Sequence, residues 1–252
     1  MDKTPLLLID ADDTIWESAL YFRRAEEDFV SLMEALGHAP DEVVDTVHAR
    51  DIERLDHTGY GAVPYMDTLQ HVMDALHPDP PGWAARSLDA IRRTLLGHPV
   101  ILLPGVEPTL SALVEDGHAT FVYTMGEREH QLDKFRRSGL EETVRGVRVL
   151  ERKTPEALDR LLKELEGIPA NTAVIGNSPR SDIRPALEIG VNAVYVHRPG
   201  TWIAEQADIP ESDRLEEVSS FHGVPGALRS LGLAAPLEEG ATAGRRFGNE
   251  AH

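Results

Sequence analysis

The sequence predicts an α/β fold, a doubly wound parallel sheet interrupted by an all-helical insertion, and three observations predict it. Short unbroken apolar runs end at acidic, small or hydroxyl residues. Helix-like stretches that stop at glycines alternate with the later runs. One long stretch after the first run has helical periodicity and contains no strand-like segment.

Leu6-Leu7-Leu8-Ile9 is the first run, and it stops at Asp10-Ala11-Asp12-Asp13-Thr14, as a strand buried on both faces does where it emerges at a sheet edge. Further runs lie at 120–123 before Thr124, at 173–175 before Gly176, and at 193–196 before His197, which makes four candidate strands. Helix-like stretches at 108–115, 127–137, 155–166 and 182–189 each precede a glycine that can take the left-handed conformation closing a helix. Between the first run and these elements, 18–36, 41–55, 63–76 and 83–96 read as amphipathic helices, with Pro78-Asp79-Pro80-Pro81-Gly82 as a turn among them. The expected organisation is a core of 1–15 and 99–232, a helical cap of 16–98, and a weakly apolar tail of 233–252 expected to be mobile. In such sheets, sites lie beyond the carboxyl ends of the strands.

Composition narrows the chemistry. The chain has 252 residues, 41% of them hydrophobic and 27% charged, which suits a globular protein with a well-buried core. With no cysteine, disulfides, thiolate nucleophiles and Cys-ligated metals are excluded. A formal charge of −18 opposes attraction to nucleic acid or an anionic membrane. Neither a signal-like amino terminus nor a run long enough to span a membrane is present, so a cytoplasmic location is expected. Oligomeric state is not readable from these features.

Asp10 and Asp12 stand two apart at the end of a buried strand, and buried carboxylates are costly unless a cation or hydrogen-bond donors compensate them. A bound Mg²⁺, which takes oxygen ligands, keeps waters and bridges readily to phosphate, is the simplest compensation. Asp182, closing the stretch Gly176-Asn177-Ser178-Pro179-Arg180-Ser181-Asp182, is the best-placed third ligand.

These residues resemble the haloacid dehalogenase-like hydrolase superfamily, whose four short motifs sit at the strand ends of one doubly wound sheet. Asp10-Ala11-Asp12-Asp13-Thr14 is similar to the first, Thr124 in Val122-Tyr123-Thr124-Met125-Gly126 to the second, Lys153 before Thr154-Pro155 to the third, and Gly176 to Asp182 in part to the fourth. Pro104-Gly105-Val106 resembles the family's re-entry from cap to core. The resemblance runs from Pro5 to about Gly200. Asp13 stands where the family usually has Gly, which resembles a subgroup with Asp-x-Asp-Asp-Thr-hydrophobic-Trp. Asn177 stands where the fourth motif often has its first Asp, and it lowers the local negative charge.

The resemblance implies a Mg²⁺-dependent phosphatase acting on a small phosphorylated metabolite. Asp10 would be the nucleophile that forms an aspartyl-phosphate, and Asp12 the acid and base. Thr124 and the amides of Met125 and Gly126 would hold phosphoryl oxygens, with Lys153 neutralising charge. Asp10, Asp12 and Asp182 would hold the metal, with Asn177 as a further ligand. Arg180, within the fourth motif, is a candidate substrate contact.

Three other functions share the scaffold. A phosphomutase would keep all four motifs, a non-catalytic phosphate-binding or regulatory module is allowed by Asn177, and a 2-haloacid dehalogenase is opposed by Asp12, because a halide leaves without a proton. Asp13 is expected on the wrong side of an extended segment to replace Asp12. Trp16 and Glu17 are expected at the hinge into the cap, and Gly59-Tyr60-Gly61 at a turn between cap helices that could close over substrate. The 11 histidines show no metal-binding spacing.

Overall fold

The protein was analysed as a computed structural model, which describes residues 4–234 without the side chains of 55–58 and 203. After β1 (Leu6–Ile9) come four helices, α1 (Ala19–Ala35), α2 (Pro40–Thr58), α3 (Ala62–Leu76) and α4 (Gly82–Leu96). Then follow α5 (Val106–Glu115), β2 (Ala119–Met125), α6 (Arg128–Ser138), β3 (Val147–Leu150), α7 (Pro155–Glu164), β4 (Thr172–Gly176), α8 (Arg184–Glu188), β5 (Asn192–Val196), β6 (Leu215–Val218) and α9 (Val224–Ser230).

The strands form one sheet in the order β3-β2-β1-β4-β5-β6, and every pair is parallel. β1 lies inside the sheet, with β2 and β3 added on one side before the chain crosses back to add β4, β5 and β6 on the other, so its carboxyl end opens at the crevice of the fold. Its alternation divides the core. Leu7 and Ile9 pack with Val106, Leu110 and Val224, while Leu6 and Leu8 pack with Leu158, Leu161 and Ala186. Both faces are covered, which is why the run carries no polar residue.

Two strands were not anticipated. β3 and β6 are edge strands with one neighbour each, and their half-buried sequences, Val-Arg-Val-Leu and Leu-Glu-Glu-Val, lack the apolar run that marks the inner strands. The expected helix over 182–189 is a π-helical turn (Pro179–Ile183) leading into α8.

The four inserted helices have an apolar cluster of their own, with Phe29, Met33, Met66, Leu69 and Leu95 essentially inaccessible. The two chain crossings into this lobe run side by side, tied by Glu17 N donating to Ile101 O at 3.0 Å and Leu103 N to Ile15 O at 2.8 Å. Trp16 is fully buried in the sheet's core. Gly105, at the return crossing, adopts φ 82°, and a β-carbon there would lie 2.3 Å from the His222 ring.

Leu233, expected to begin a loose tail, is buried, and its carbonyl faces His118 Nε2 at 2.9 Å. The rest of the expected tail, 235–252, lies outside the described residues. Among the described residues no helix is long and apolar enough to cross a membrane.

Candidate active site

β1 ends at Ile9, and Asp10 continues its line by donating its amide to Ile175 O at 2.8 Å. The Asp10 carboxylate thereby meets the ends of β4 and of the segment after β3. Lys153 Nζ bridges it, pairing with Asp10 Oδ1 and, at 2.7 Å, with Asp182 Oδ1. The ammonium also lies 4.4 Å from the centre of the Tyr123 ring. Thr154 caps α7 by accepting from Ala157 N, with Pro155 in the first turn, which fixes where Lys153 departs. Asp182 is 1% exposed and also accepts from Ser178 N at 3.0 Å. A β-carbon on Gly176 would lie 2.2 Å from Asp182 Oδ2, so only glycine admits that carboxylate.

Electrostatics follow from this burial. Desolvation and the neighbouring Asp182 charge push the Asp10 carboxyl up, against the lowering effect of Lys153. Burial alone would lower the Lys153 ammonium, but Asp10 and Asp182 hold it well above its usual range.

Asp12 is compensated differently. Burial would raise its carboxyl, yet Lys134 pairs with Oδ1, Gln131 Nε2 donates to Oδ2 at 2.9 Å and Trp16 Nε1 donates to Oδ1 at 2.9 Å, and together they hold it well below the usual carboxylate range. Lys134 and Gln131, on α6, are buried site residues that the sequence did not single out. A lysine in a polar helix reads as a solvated side chain, and only the approach of α6 to the end of β1 buries it.

Asp13 departs from expectation. The backbone leaves the extended form there, with φ 61°, and the Asp13 carboxylate accepts from Ser18 N at 2.9 Å and from Ala19 N at 2.9 and 3.1 Å, anchoring the start of α1. Burial pushes this carboxyl up to about 6 against those bonds. Its place in the motif is therefore that of a strut to the helical lobe.

The remaining predicted residues separate into two groups. Thr124, Met125 and Asn177 line the same cavity as Asp10, Asp12, Lys153 and Asp182. Gly126 does not: β2 runs on to Met125, and the sheet ladder takes the Gly126 amide, which donates to Leu150 O at 3.3 Å. Arg180 is exposed and outside the lining, because the π-helical turn directs Ser181 and Asp182 inward and leaves the Arg180 guanidinium on Ala204 O at 3.2 Å.

The donor set near Asp10 suits Mg²⁺. Among the described residues no group of three or more His, Asp or Glu side chains is arranged to hold a metal, so the fit rests on mixed oxygen donors. The end of the Asn177 amide stands 2.9 Å from Thr14 Oγ1, 3.3 Å from Asp10 Oδ2 and 3.1 Å from the Asp12 carbonyl, and with its nitrogen turned that way it donates to all three. Oxygens brought together this way need either a turned amide that donates to them or a cation between them.

The cavity has a volume of about 420 Å³ and lies between the sheet's carboxyl edge and the helical lobe. Phe22, Tyr65 and the Gly59-Tyr60-Gly61 turn come from the lobe, and Trp202 and Glu205 from the loop after β5. Tyr60 stacks edge-on against Trp202, with ring centres 6.1 Å apart, so the turn closes this end of the cavity.

The sequence profile of the haloacid dehalogenase-like hydrolases matches residues 4–190, and the chain belongs to that family of hydrolases. Among solved structures, a haloacid dehalogenase-like family hydrolase from Xanthomonas campestris superposes with a TM-score of 0.78 at 29% identity, over 92% of this chain and 94% of that one. A 2-haloacid dehalogenase from Pseudomonas syringae pv. tomato gives 0.62 at 20% identity, covering 90% and 99%. An HAD phosphatase from Thermococcus onnurineus gives 0.57 at 20% identity, covering 89% and 97%. The last two likenesses speak to the fold alone. None of the curated proteins matches in sequence.

Proposed function

We propose that this chain is a Mg²⁺-dependent phosphatase that hydrolyses a small phosphomonoester through an aspartyl-phosphate on Asp10. The observation that supports the reading is the second acid: the Asp12 carboxylate lines the same cavity as Asp10. An alkoxide leaving phosphorus needs a proton and a halide leaving carbon does not, so Asp12 would be idle in a dehalogenase.

In this reading an Asp10 oxygen attacks phosphorus, forming one P–O bond as the ester P–O bond breaks, and the alcohol departs. Lys153 orients Asp10 through the shared contact with Asp182 and offsets charge on the incoming phosphoryl group. Thr124 Oγ1 and the Met125 amide hold phosphoryl oxygens from the end of β2. Asp12 then takes the proton of the water that attacks the aspartyl-phosphate. Lys134 keeps it ionised for that step, and in the first step Asp12 would enter protonated and give that proton to the departing oxygen. Mg²⁺ would be held by Asp10, the Asp12 carbonyl, the Asn177 amide oxygen and Asp182. When bound, it screens the repulsion between the nucleophile and the phosphate dianion.

The reading is tested by acid-quenching a reaction with an aryl phosphate and mapping phosphorylated peptides by mass spectrometry. The expected result is a phosphoryl group on Asp10 that is absent from Asp10→Asn. Phosphate release with no modification of Asp10 would overturn the mechanism.

A further inference from the structure

Beyond the catalytic floor, the cavity is lined by three carboxylates, Glu26, Asp51 and Glu205. Two of them are compensated inside the lobe: Glu26 Oε2 meets His48 Nε2 at 2.9 Å and Tyr65 OH at 3.3 Å, and Asp51 is hydrogen-bonded to Thr68 with Arg54 nearby. Glu205 is different. It is 9% exposed, Oε2 accepts the Ser178 hydroxyl, and Oε1 is buried with no hydrogen-bond partner. Glu205 forms no ion pair among the described residues. Arg180, in the neighbouring turn, is committed to Ala204 O. A carboxylate oxygen withdrawn from water without a donor is costly, and the cost falls when a ligand supplies one.

Its place in the fold says which part of a ligand that would be. Ser178 joins Glu205 to the catalytic acids, because the same residue gives its hydroxyl to Glu205 and its amide to Asp182, which in turn meets Lys153. Glu205 is thus one side chain removed from the phosphoryl site. Burial, the Glu205 charge and a hydrogen bond to Glu205 push the Tyr60 phenol up to about 12 against the Arg180 and Arg152 charges, so the lobe's turn itself covers Glu205 and must move for a ligand to reach it. The single arginine of the lining, Arg23, is exposed on α1.

We propose that Glu205 reads the leaving group, and that the substrate is a phosphomonoester whose leaving group carries an ammonium, which pairs with Glu205 Oε1 when the Tyr60 turn lifts to admit it. The assignment rests on the phosphatase reading for its chemistry, but ligand binding tests it without turnover. The carboxylates of the lining disfavour a leaving group with a second negative charge.

Three inert, size-matched probes differ at the group in question: 2-aminoethylphosphonate, 2-hydroxyethylphosphonate and phosphonoacetate. Their dissociation constants would be measured by titration calorimetry with Mg²⁺, for the wild type and for Glu205→Gln, with methylphosphonate reporting an intact phosphoryl site. The wild type should bind the ammonium probe at least about tenfold tighter than the hydroxyl probe, and phosphonoacetate weakest. Glu205→Gln should erase most of the ammonium preference while still binding methylphosphonate. Equal affinities in the wild type would overturn the proposal, as would an ammonium preference that persists in the variant. A preference for phosphonoacetate would also overturn it and assign the leaving-group contact to Arg23. Probe selectivity without phosphate release from any ester would refute the phosphatase reading, and with it the leaving-group role, and leave only the ammonium contact of Glu205 standing.

Discussion

At the floor of the cavity Asp10 and Asp182 share Lys153, and Asp12 has Lys134, all within the buried end of the sheet. At the roof Glu26 and Asp51 face a histidine, a tyrosine and a threonine on helix surfaces that are only partly buried. Floor carboxylates are held by lysines because a buried charge without a counter-charge is expensive, whereas Glu26 and Asp51, which water still reaches, are met by hydrogen bonds from Tyr65 and Thr68 beside His48 and Arg54. The difference suits a division of labour, with a fixed catalytic floor and a roof that can adapt its contacts to a ligand.

The largest effect expected at the floor is on chemistry. Asp10→Asn should lower turnover of any phosphomonoester by at least about a thousandfold while leaving the fold intact by circular dichroism. A loss below about tenfold would end the contrast, since the floor would no longer carry the reaction.

Next comes Lys153→Met, which strands two buried carboxylates. It should cost about 3–5 kcal/mol of unfolding free energy at pH 7.5. The loss should shrink toward pH 5, because Asp10 and Asp182, already pushed up by burial, then take up protons in the folded state. Added Mg²⁺ should raise the variant's Tm more than that of the wild type. Unchanged stability would show that the floor does not depend on its lysine.

A smaller effect is expected for Asp12→Ala, about a hundredfold in kcat on an alkyl phosphate and less on an aryl phosphate, whose leaving group needs little help from a proton. Equal losses on both esters would assign Asp12 to the water step alone.

The smallest prediction concerns the roof. Burial raises the Asp51 carboxyl from 3.8 to about 6, so its ionised form burdens the fold above that pH and the burden vanishes as the proton is taken up below it. Asp51→Asn should therefore gain about 1 kcal/mol at pH 7.5, or about 2–4 °C in Tm, and nothing near pH 4.5. A gain that does not depend on pH would mean that Asp51 is not held as burial requires.

What was legible in the sequence follows the same divide. Inner strands announced themselves because a strand covered on both faces must be apolar throughout, and Asp10 was legible because it directly follows one; Asp182 stood out in the stretch after another, and Lys153 only through its motif. β3 and β6 were not, since an edge strand needs only half a buried face and can carry Arg148 or Glu216. Lys134, Gln131 and Glu205 were hidden for a related reason. Their importance comes from which element approaches the end of β1, and local spacing does not encode that. Gly126 and Arg180 show the converse: both lie inside a recognisable motif, yet the sheet ladder claims the amide of one and a π-helical turn sends the other outward.

The central claim is that the floor performs metal-assisted phosphoryl transfer. The direct measurement is inorganic phosphate release from an aryl phosphate and a panel of phosphomonoesters, with Mg²⁺ and with EDTA, for the wild type beside Asp10→Asn. The account predicts release that requires Mg²⁺ and is lost in the variant. Release that survives EDTA or Asp10→Asn, or no release from any ester, would contradict it.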